Sequence, residues 1–329
     1  MNLENSAIPV PTFPSDRRSF LRLAAVVGTV AAMQPVVRGM GQAAKSDFLS
    51  ASRAAAARTP IRITQLASNV HLLQGYGGNM TVQTGPDGKV LIDCSYMPAA
   101  PRILEALNTL SKDPAATLIN SHWHVDHVDG NQPMHEAGFR ILAHAKTRER
   151  LMTPQSIALL HLSLPAYPSP AWPVTTFDQS LTLWRNGDQL TLSHYASAHT
   201  DTDIYIHFHN ANVLHVADIW FNGVYPLIDE SSGGNIDGMI HASSQALALA
   251  DNHTKIVPGH GPLGTRQQLS DYHSMLSTVR DRVAALKKSG LTEKEAIARK
   301  PTASLDAKWG KGGMTPDVFT GIVYRTVRV

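Results

Sequence analysis

Six consecutive residues, His122-Trp123-His124-Val125-Asp126-His127, carry four nitrogen and oxygen donors and follow, after Ser121, the short apolar run Thr117-Leu118-Ile119-Asn120. In an extended segment alternate side chains share a face, so His122 and His124 can address one ion. Asp126 and His127 sit where the chain turns and can reach a second position nearby. Neutral imidazole is the commonest metal ligand, and a surface loop has little reason to carry so dense an array. Four donors do not complete two sites, so the fold must bring other strand ends to the same place. Three later positions suit that demand. His199 stands in Ala198-His199-Thr200-Asp201, Asp218 ends the apolar run Val213-Leu214-His215-Val216-Ala217, and His260 lies in Val257-Pro258-Gly259-His260-Gly261. The glycines beside His260 allow close approach of backbone.

The rest of the pattern supplies those strands. Short β runs occupy residues 61–93, with Gly85-Pro86-Asp87-Gly88 as the turn of a hairpin. The spacing predicts a helix over 98–110, a strand over 117–120, a helix near 130–137, a strand over 140–143 and a helix over 146–152. Residues 163–173, with four prolines, read as an irregular loop. Strands return over 181–184, 189–193, 202–208 and 213–216. Two helices over 236–250 and 264–288 flank a strand at 255–257, and helical segments at 292–299 and 316–326 end the chain. Two β-rich halves, each with helices, imply an α/β fold of two sheets face to face with helices outside. No Gly-, Ser- or Pro-rich linker divides it, so residues 45–329 form one domain.

The first 44 residues read as an address. Arg17-Arg18 precede an apolar stretch, residues 23–33, too short and too rich in Ala and Gly to anchor as a membrane helix. Small residues follow, and cleavage after Ala43 fits a small-x-small pattern, with a site near Ala57 as the alternative. The segment resembles a twin-arginine export signal, which implies the Tat export machinery as a partner, transport in the folded state, and a periplasmic protein with no stable membrane insertion.

Composition removes other classes. The single cysteine, Cys94, excludes an internal disulfide and a Cys-rich zinc ribbon. A net charge of +3 with scattered Lys and Arg lacks the basic face of a nucleic-acid binder. Of the sixteen histidines, His71, His161, His253 and His273 have no partner spacing and read as surface or core residues. His207 and His209 alternate on a strand without an acidic partner.

Asp93, the 122–127 run, His199, Asp218 and His260 together resemble the motifs of the metallo-β-lactamase superfamily over roughly residues 61–264. The resemblance implies an αβ/βα four-layer sandwich of two mixed sheets with a metal site at one sheet edge. It assigns His122, His124 and His199 to one metal and Asp126, His127 and His260 to the other, with Asp218 bridging and Asp93 a buried structural acid. Lactamase branches commonly place Cys or Ser where this chain has Asp218. The aspartate is more similar to the glyoxalase II-like thioesterases, lactonases and phosphodiesterases. The first motif lacks the Glu of flavo-diiron proteins, and seven donor positions argue against mononuclear-iron persulfide dioxygenases. The chain is also too short for the extra domain of RNA-processing members.

Imidazole and carboxylate donors suit two Zn²⁺, with Fe or Mn as alternatives. Zn²⁺ lowers the pKa of its water from about 15.7 to about 7, so the expected reaction is attack of metal-bound hydroxide on the carbonyl of a small substrate (lactam, lactone, ester or thioester), with Asp126 orienting the nucleophile. A phosphodiester on the same site, a non-catalytic metal-binding protein and a redox di-iron centre are the alternatives. Trp220 and Tyr225, after the bridging aspartate, are expected to wall the substrate pocket. Residues 229–237 are expected to form a lid or cap a helix, and the 163–173 loop to add a second wall. Oligomeric state stays open.

Overall fold

The structure, a computed structural model, describes residues 43–329, so the export signal expected over residues 1–44 lies almost wholly outside the described residues. A helix α1 (Ala43–Ala56) comes first, followed by strands β1 (Arg62–Gln65), β2 (Val70–Gln74), β3 (Met80–Gln83) and β4 (Lys89–Ile92). Next come α2 (Ala100–Leu110), β5 (Ala115–Ile119), α3 (Val125–Val128), α4 (Asn131–Glu136), β6 (Arg140–His144) and α5 (Ala145–Leu151). A small hairpin of β7 (Gln155–Ile157) and β8 (Leu162–Leu164) precedes β9 (Thr175–Phe177). The second half holds β10 (Ser180–Arg185), β11 (Asp188–His194), β12 (Ile204–Phe208) and β13 (Val213–Phe221). It continues through α6 (Ile236–Leu249), β14 (Lys255–His260), α7 (Arg266–Lys288), α8 (Glu293–Ala298), α9 (Asp306–Trp309) and α10 (Pro316–Thr326).

Two mixed sheets result, in the orders β1-β2-β3-β4-β5-β6-β9 and β10-β11-β12-β13-β14. Strand pairing is antiparallel from β1 to β4 and from β10 to β13, and parallel elsewhere. The period-2 alternation of side chains decides the layers. Val90 and Ile92 join Ile204, Ile206, Phe208, Val213 and Val257 in the core between the sheets. Leu91 faces the other way, onto Ile103 and Leu107 of α2. On the second sheet Leu214, Val216 and Ile256 pack against α6, α7 and α10. The outcome is the helix–sheet–sheet–helix sandwich expected from the sequence.

Local chemistry sets the boundaries. Gly88 takes φ +87° in the hairpin turn between β3 and β4, where its N–H donates to Gly85 O. Thr265 and Gln268 form a capping box on α7, and Thr292 and Glu295 one on α8. Pro316, in the first turn of α10, sits where a missing N–H costs nothing. Among the described residues no helix is long and apolar enough to cross a membrane.

Two expectations change. Strand β13 does not end at Asp218: it continues to Phe221 through a kink at Ala217, whose φ is +46°, with register shifts against β14 on either side. Residues 163–173 are also not wholly irregular, since Leu162–Leu164 pairs with Gln155–Ile157 and Ala171 is buried.

Candidate metal centre

All seven donors reach one end of the sandwich. Residues 122–127 follow β5 of the first sheet, with Asp126 and His127 held on the short helix α3. His199 lies between β11 and β12, Asp218 at the kink of β13, and His260 at the end of β14. They fall into two groups whose donor atoms lie within 4.8 Å of one another: His122, His124, His199 and Asp218, then Asp126, His127 and His260. Asp218 stands between the groups. Its Oδ2 is 3.4 Å from His199 Nε2, 3.9 Å from His122 Nε2 and 3.3 Å from His260 Nε2, while Oδ1 is 3.1 Å from His127 Nε2. Asp126 Oδ2 lies 3.3 Å from His260 Nε2 and 3.7 Å from His127 Nε2.

A second ring of polar groups fixes how four of the five imidazoles, those of His122, His124, His127 and His199, are presented. His127 Nδ1 donates to Asp93 Oδ2 at 2.8 Å, and Asp93 also accepts from Ser121 N (2.7 Å) and Ser121 Oγ (2.6 Å). That leaves Ser121 Oγ to accept from His122 Nδ1 at 3.0 Å. His199 Nδ1 donates to Leu227 O at 2.8 Å, and His124 Nε2 to Asp229 Oδ2 at 3.0 Å. Each ring thus turns a bare lone pair inward, the arrangement that outer-shell carboxylates and carbonyls impose on ligating histidines.

The inward atoms fit a cation. His122 Nε2, His127 Nε2 and Asp218 Oδ1 are buried without any hydrogen bond, whereas buried polar atoms are nearly always satisfied. His124 Nδ1 and His199 Nε2 face each other at 2.8 Å. With the opposite nitrogen of both rings already donating, two lone pairs meet there and repel unless a positive charge lies between them.

The electrostatics agree. Burial pushes the His122 imidazole well below its ordinary value and holds His199 at about 4, so both are neutral at pH 7. Burial also opposes charge on Asp126 and His260, but their attraction to neighbouring ionic groups is stronger. Asp126 is held at about 2 by His127 and His260, and His260 is lifted to about 9 by Asp218 and Asp126.

A pH dependence of the metal-free protein follows. His199 and the inter-sheet His215, whose Nδ1 meets Thr81 Oγ1 at 2.9 Å, are both held at about 4 by burial, from an ordinary value of 6.5. Between those pH values the unfolded chain binds more protons, so stability is lost as pH falls from 6.5 to 4. Each ring contributes a slope of up to about 1.4 kcal/mol per pH unit. Urea midpoints at pH 7 and pH 4.5 read this directly; equal midpoints would mean the rings are not held neutral.

Sequence reasoning missed Asp229 and Asp203. Asp229 lies 105 residues from the histidine it orients, and the segment 229–237 serves as clamp and cap rather than lid. Asp229 N donates to His199 O, Asn235 N to Ala198 O, and the Asn235 side chain caps α6. Asp203 accepts from His199 N (2.7 Å), Thr200 N (2.9 Å) and Thr200 Oγ1 (2.6 Å). The Thr-x-x-Asp spacing was its only local signal. Asp229→Ala is expected to weaken metal binding about 10–100-fold, read by competition with a chromophoric chelator. Unaltered affinity would remove Asp229 from the centre.

Trp220 and Tyr225 are not on the pocket. Trp220 is fully buried beside Tyr272, with its ring against Gly264. Tyr225 stacks on Phe319 and donates to Asp306 Oδ1 at 2.8 Å. Both face the C-terminal helices, in the same core cluster as Leu214 and Val216. The cavity above the donors has walls that include Phe48, Tyr76, Tyr96, Ile157, Leu160 and Phe221. The 163–173 loop is not among them. His207 and His209 stack at 4.2 Å but join no donor group among the described residues.

The profile of the metallo-beta-lactamase superfamily matches residues 73–260, which include all seven donors. Among solved structures, a metallo-beta-lactamase from Pontibacter korlensis is similar at 18% identity and TM-score 0.55, covering 66% of this chain and 99% of that one. A stereoselective inverting sec-alkylsulfatase from Pseudomonas sp. is similar at 17% identity and TM-score 0.63, covering 98% of this chain and 63% of that one. At such identities the likeness is one of fold. The chain belongs to the metallo-beta-lactamase superfamily, whose members are metal-dependent hydrolases.

Proposed function

We propose that the protein is a dinuclear-metal hydrolase that cleaves a lactone, ester, thioester or lactam. One observation carries this: a single carboxylate, Asp218, is within 3.4 Å of donors from both groups. His122, His124 and His199 would hold one ion and Asp126, His127 and His260 the other. Nitrogen and oxygen donors suit Zn²⁺, with Fe or Mn also accommodated. The ions, when bound, supply Lewis acidity and ionise water near neutral pH.

The chain's own residues do the positioning. Asp126, its side chain partly open to the cavity, offers a carboxylate oxygen to orient the nucleophilic water. Asp93 and Asp229 hold His127 and His124 in the required tautomers. The aromatic and aliphatic walls exclude bulk water, which strengthens every charge interaction inside.

A second reading is a sulfate ester. The sec-alkylsulfatase fold overlays 98% of this chain against 66% for the lactamase. A phosphodiester, also a monoanion, is a third reading on the same site; among the described residues the walls carry neither lysine nor arginine to favour either anion. The test is a panel of lactams, lactones, esters, thioesters, alkyl sulfates and phosphodiesters with the zinc-loaded protein. Turnover of a carbonyl substrate, abolished by chelator and restored by metal, is expected. Two tightly bound ions with no turnover anywhere would favour a binding role.

Export through the twin-arginine route completes the proposal, since a folded, metal-loaded domain is the cargo that route carries. Cleavage after Ala43 would leave α1 on the mature protein. Replacing Arg17 and Arg18 together by lysine is expected to hold the protein in the cytoplasmic fraction. Undiminished periplasmic recovery would refute the route.

A further inference from the structure

Among the described residues the walls of the cavity are largely apolar and carry no lysine or arginine; apart from the donor set, their polar side chains are Ser52 and two tyrosines. The two arginines around the site are engaged elsewhere. Arg53 makes a bidentate pair with the buried Asp129, at 2.9 and 2.6 Å. Arg150 pairs with Asp201 at 2.7 Å and lies over the Trp123 ring. The acidic groups that face the cavity, Asp126 and Asp218, belong to the donor set and offer no partner to a negative charge away from it. A substrate carrying a second negative charge away from its reacting group would therefore bury that charge unpaired, which costs far more than burying a methyl.

One side of this wall lies outside the matched domain. Phe48 and Ser52 come from α1, before residue 73. That helix is fastened rather than merely adjacent. Besides the Arg53–Asp129 pair, Asp129 accepts Met97 N at 2.9 Å, Ser52 is buried and hydrogen-bonds Tyr96, and Ala56 is fully buried. Arg102 donates to Ala57 O just past its end.

We propose that the site selects substrates with one polar reacting head and an uncharged apolar body, and that α1, through Phe48, is the specificity-determining wall. The inference rests on the hydrolase reading, but its test does not need turnover. Straight-chain alkyl hydroxamates present a metal-binding head and a tail of chosen length. Their affinity for the zinc-loaded protein, measured calorimetrically, is expected to rise about fourfold per buried methylene. Matched hydroxamates ending in carboxylate should bind at least about tenfold more weakly than those ending in methyl.

Phe48→Ala should flatten the dependence on tail length. Phe48→Arg should reverse the preference, favouring the carboxylate tail. Leu160→Ala, at a cavity residue outside α1, should flatten it in part, and thermal unfolding of each variant checks that the fold is kept. Wild-type affinities independent of tail length, or equal for methyl and carboxylate ends, would overturn the proposal. Unchanged ranking in folded Phe48→Ala would overturn the role of α1. Tail-ranked affinities without hydrolysis of any ester would instead refute only the hydrolase reading.

Discussion

Asp218→Asn is expected to lower kcat/KM on any substrate the wild type hydrolyses by at least about a thousandfold, beyond the roughly 10–100-fold typical of outer-shell partners. The reason is position. Four imidazole nitrogens lie within 3.9 Å of this carboxylate, and an amide can neither neutralise nor bridge what they hold. Metal content should fall with activity. In the metal-free protein, His260 loses one of the two carboxylates that lift it to about 9. Breaking a buried ion pair from one side then costs about 3–5 kcal/mol at neutral pH. Elemental analysis and urea unfolding of the same preparation read both effects. Two retained ions with activity within tenfold of wild type would show that the carboxylate is dispensable.

The second large effect comes from a residue with no side chain. A Cβ on Gly259 would stand 1.9 Å from Asp218 Oδ1 and 2.7 Å from the backbone of Ala217 and Asp218. Strand β14 lies against the kink of β13 here, and only glycine permits that approach. Gly259→Ala is expected to destabilise the fold by about 3 kcal/mol, the upper end for overpacking. It should also strip metal from the protein by pushing β13 and β14 apart. Gly290→Ala is the control: its φ is +84° with nothing near the new methyl, so it costs about 1–2 kcal/mol of backbone strain and leaves metal content unchanged. Equal metal loss in both variants would show that close packing at residue 259 does not set the centre.

The sandwich and the donor set were legible in the sequence for the same reason. Strands such as Val213-Leu214-His215-Val216 alternate between two cores, and each donor marks a strand end or turn. What was not legible depends on tertiary position. Asp229 serves His124 across a long sequence separation with no motif joining them. Trp220 and Tyr225 were misplaced because nearness to Asp218 in sequence was the ground for setting them at the pocket, and the chain beyond Asp218 carries both into the core beside α7 and α10. The wall formed by α1 was hidden as well. Its residues follow the segment proposed as an export signal, and nothing in the run Asp47-Phe48-Leu49-Ser50-Ala51-Ser52 says that it folds back over a site defined by residues 122–260.

The two donor groups do not divide along the sheets. His122, His124, Asp126 and His127 belong to the first, and His199, Asp218 and His260 to the second, so each group draws on both. Ions held there would act as a further clasp between halves that already meet through apolar packing and cross-sheet hydrogen bonds such as Asn79 N to Gly259 O at 2.8 Å and Ile204 N to Ser121 O at 2.8 Å. At a free ion concentration a hundredfold above Kd, each would add about 2.7 kcal/mol to the folded state. The linkage also runs backwards. A methylene removed at Val257 or Ile206, in the apolar core between the sheets, would loosen the packing that sets the two halves of the donor set against each other. Metal affinity would thereby depend partly on residues that touch no member of the donor set.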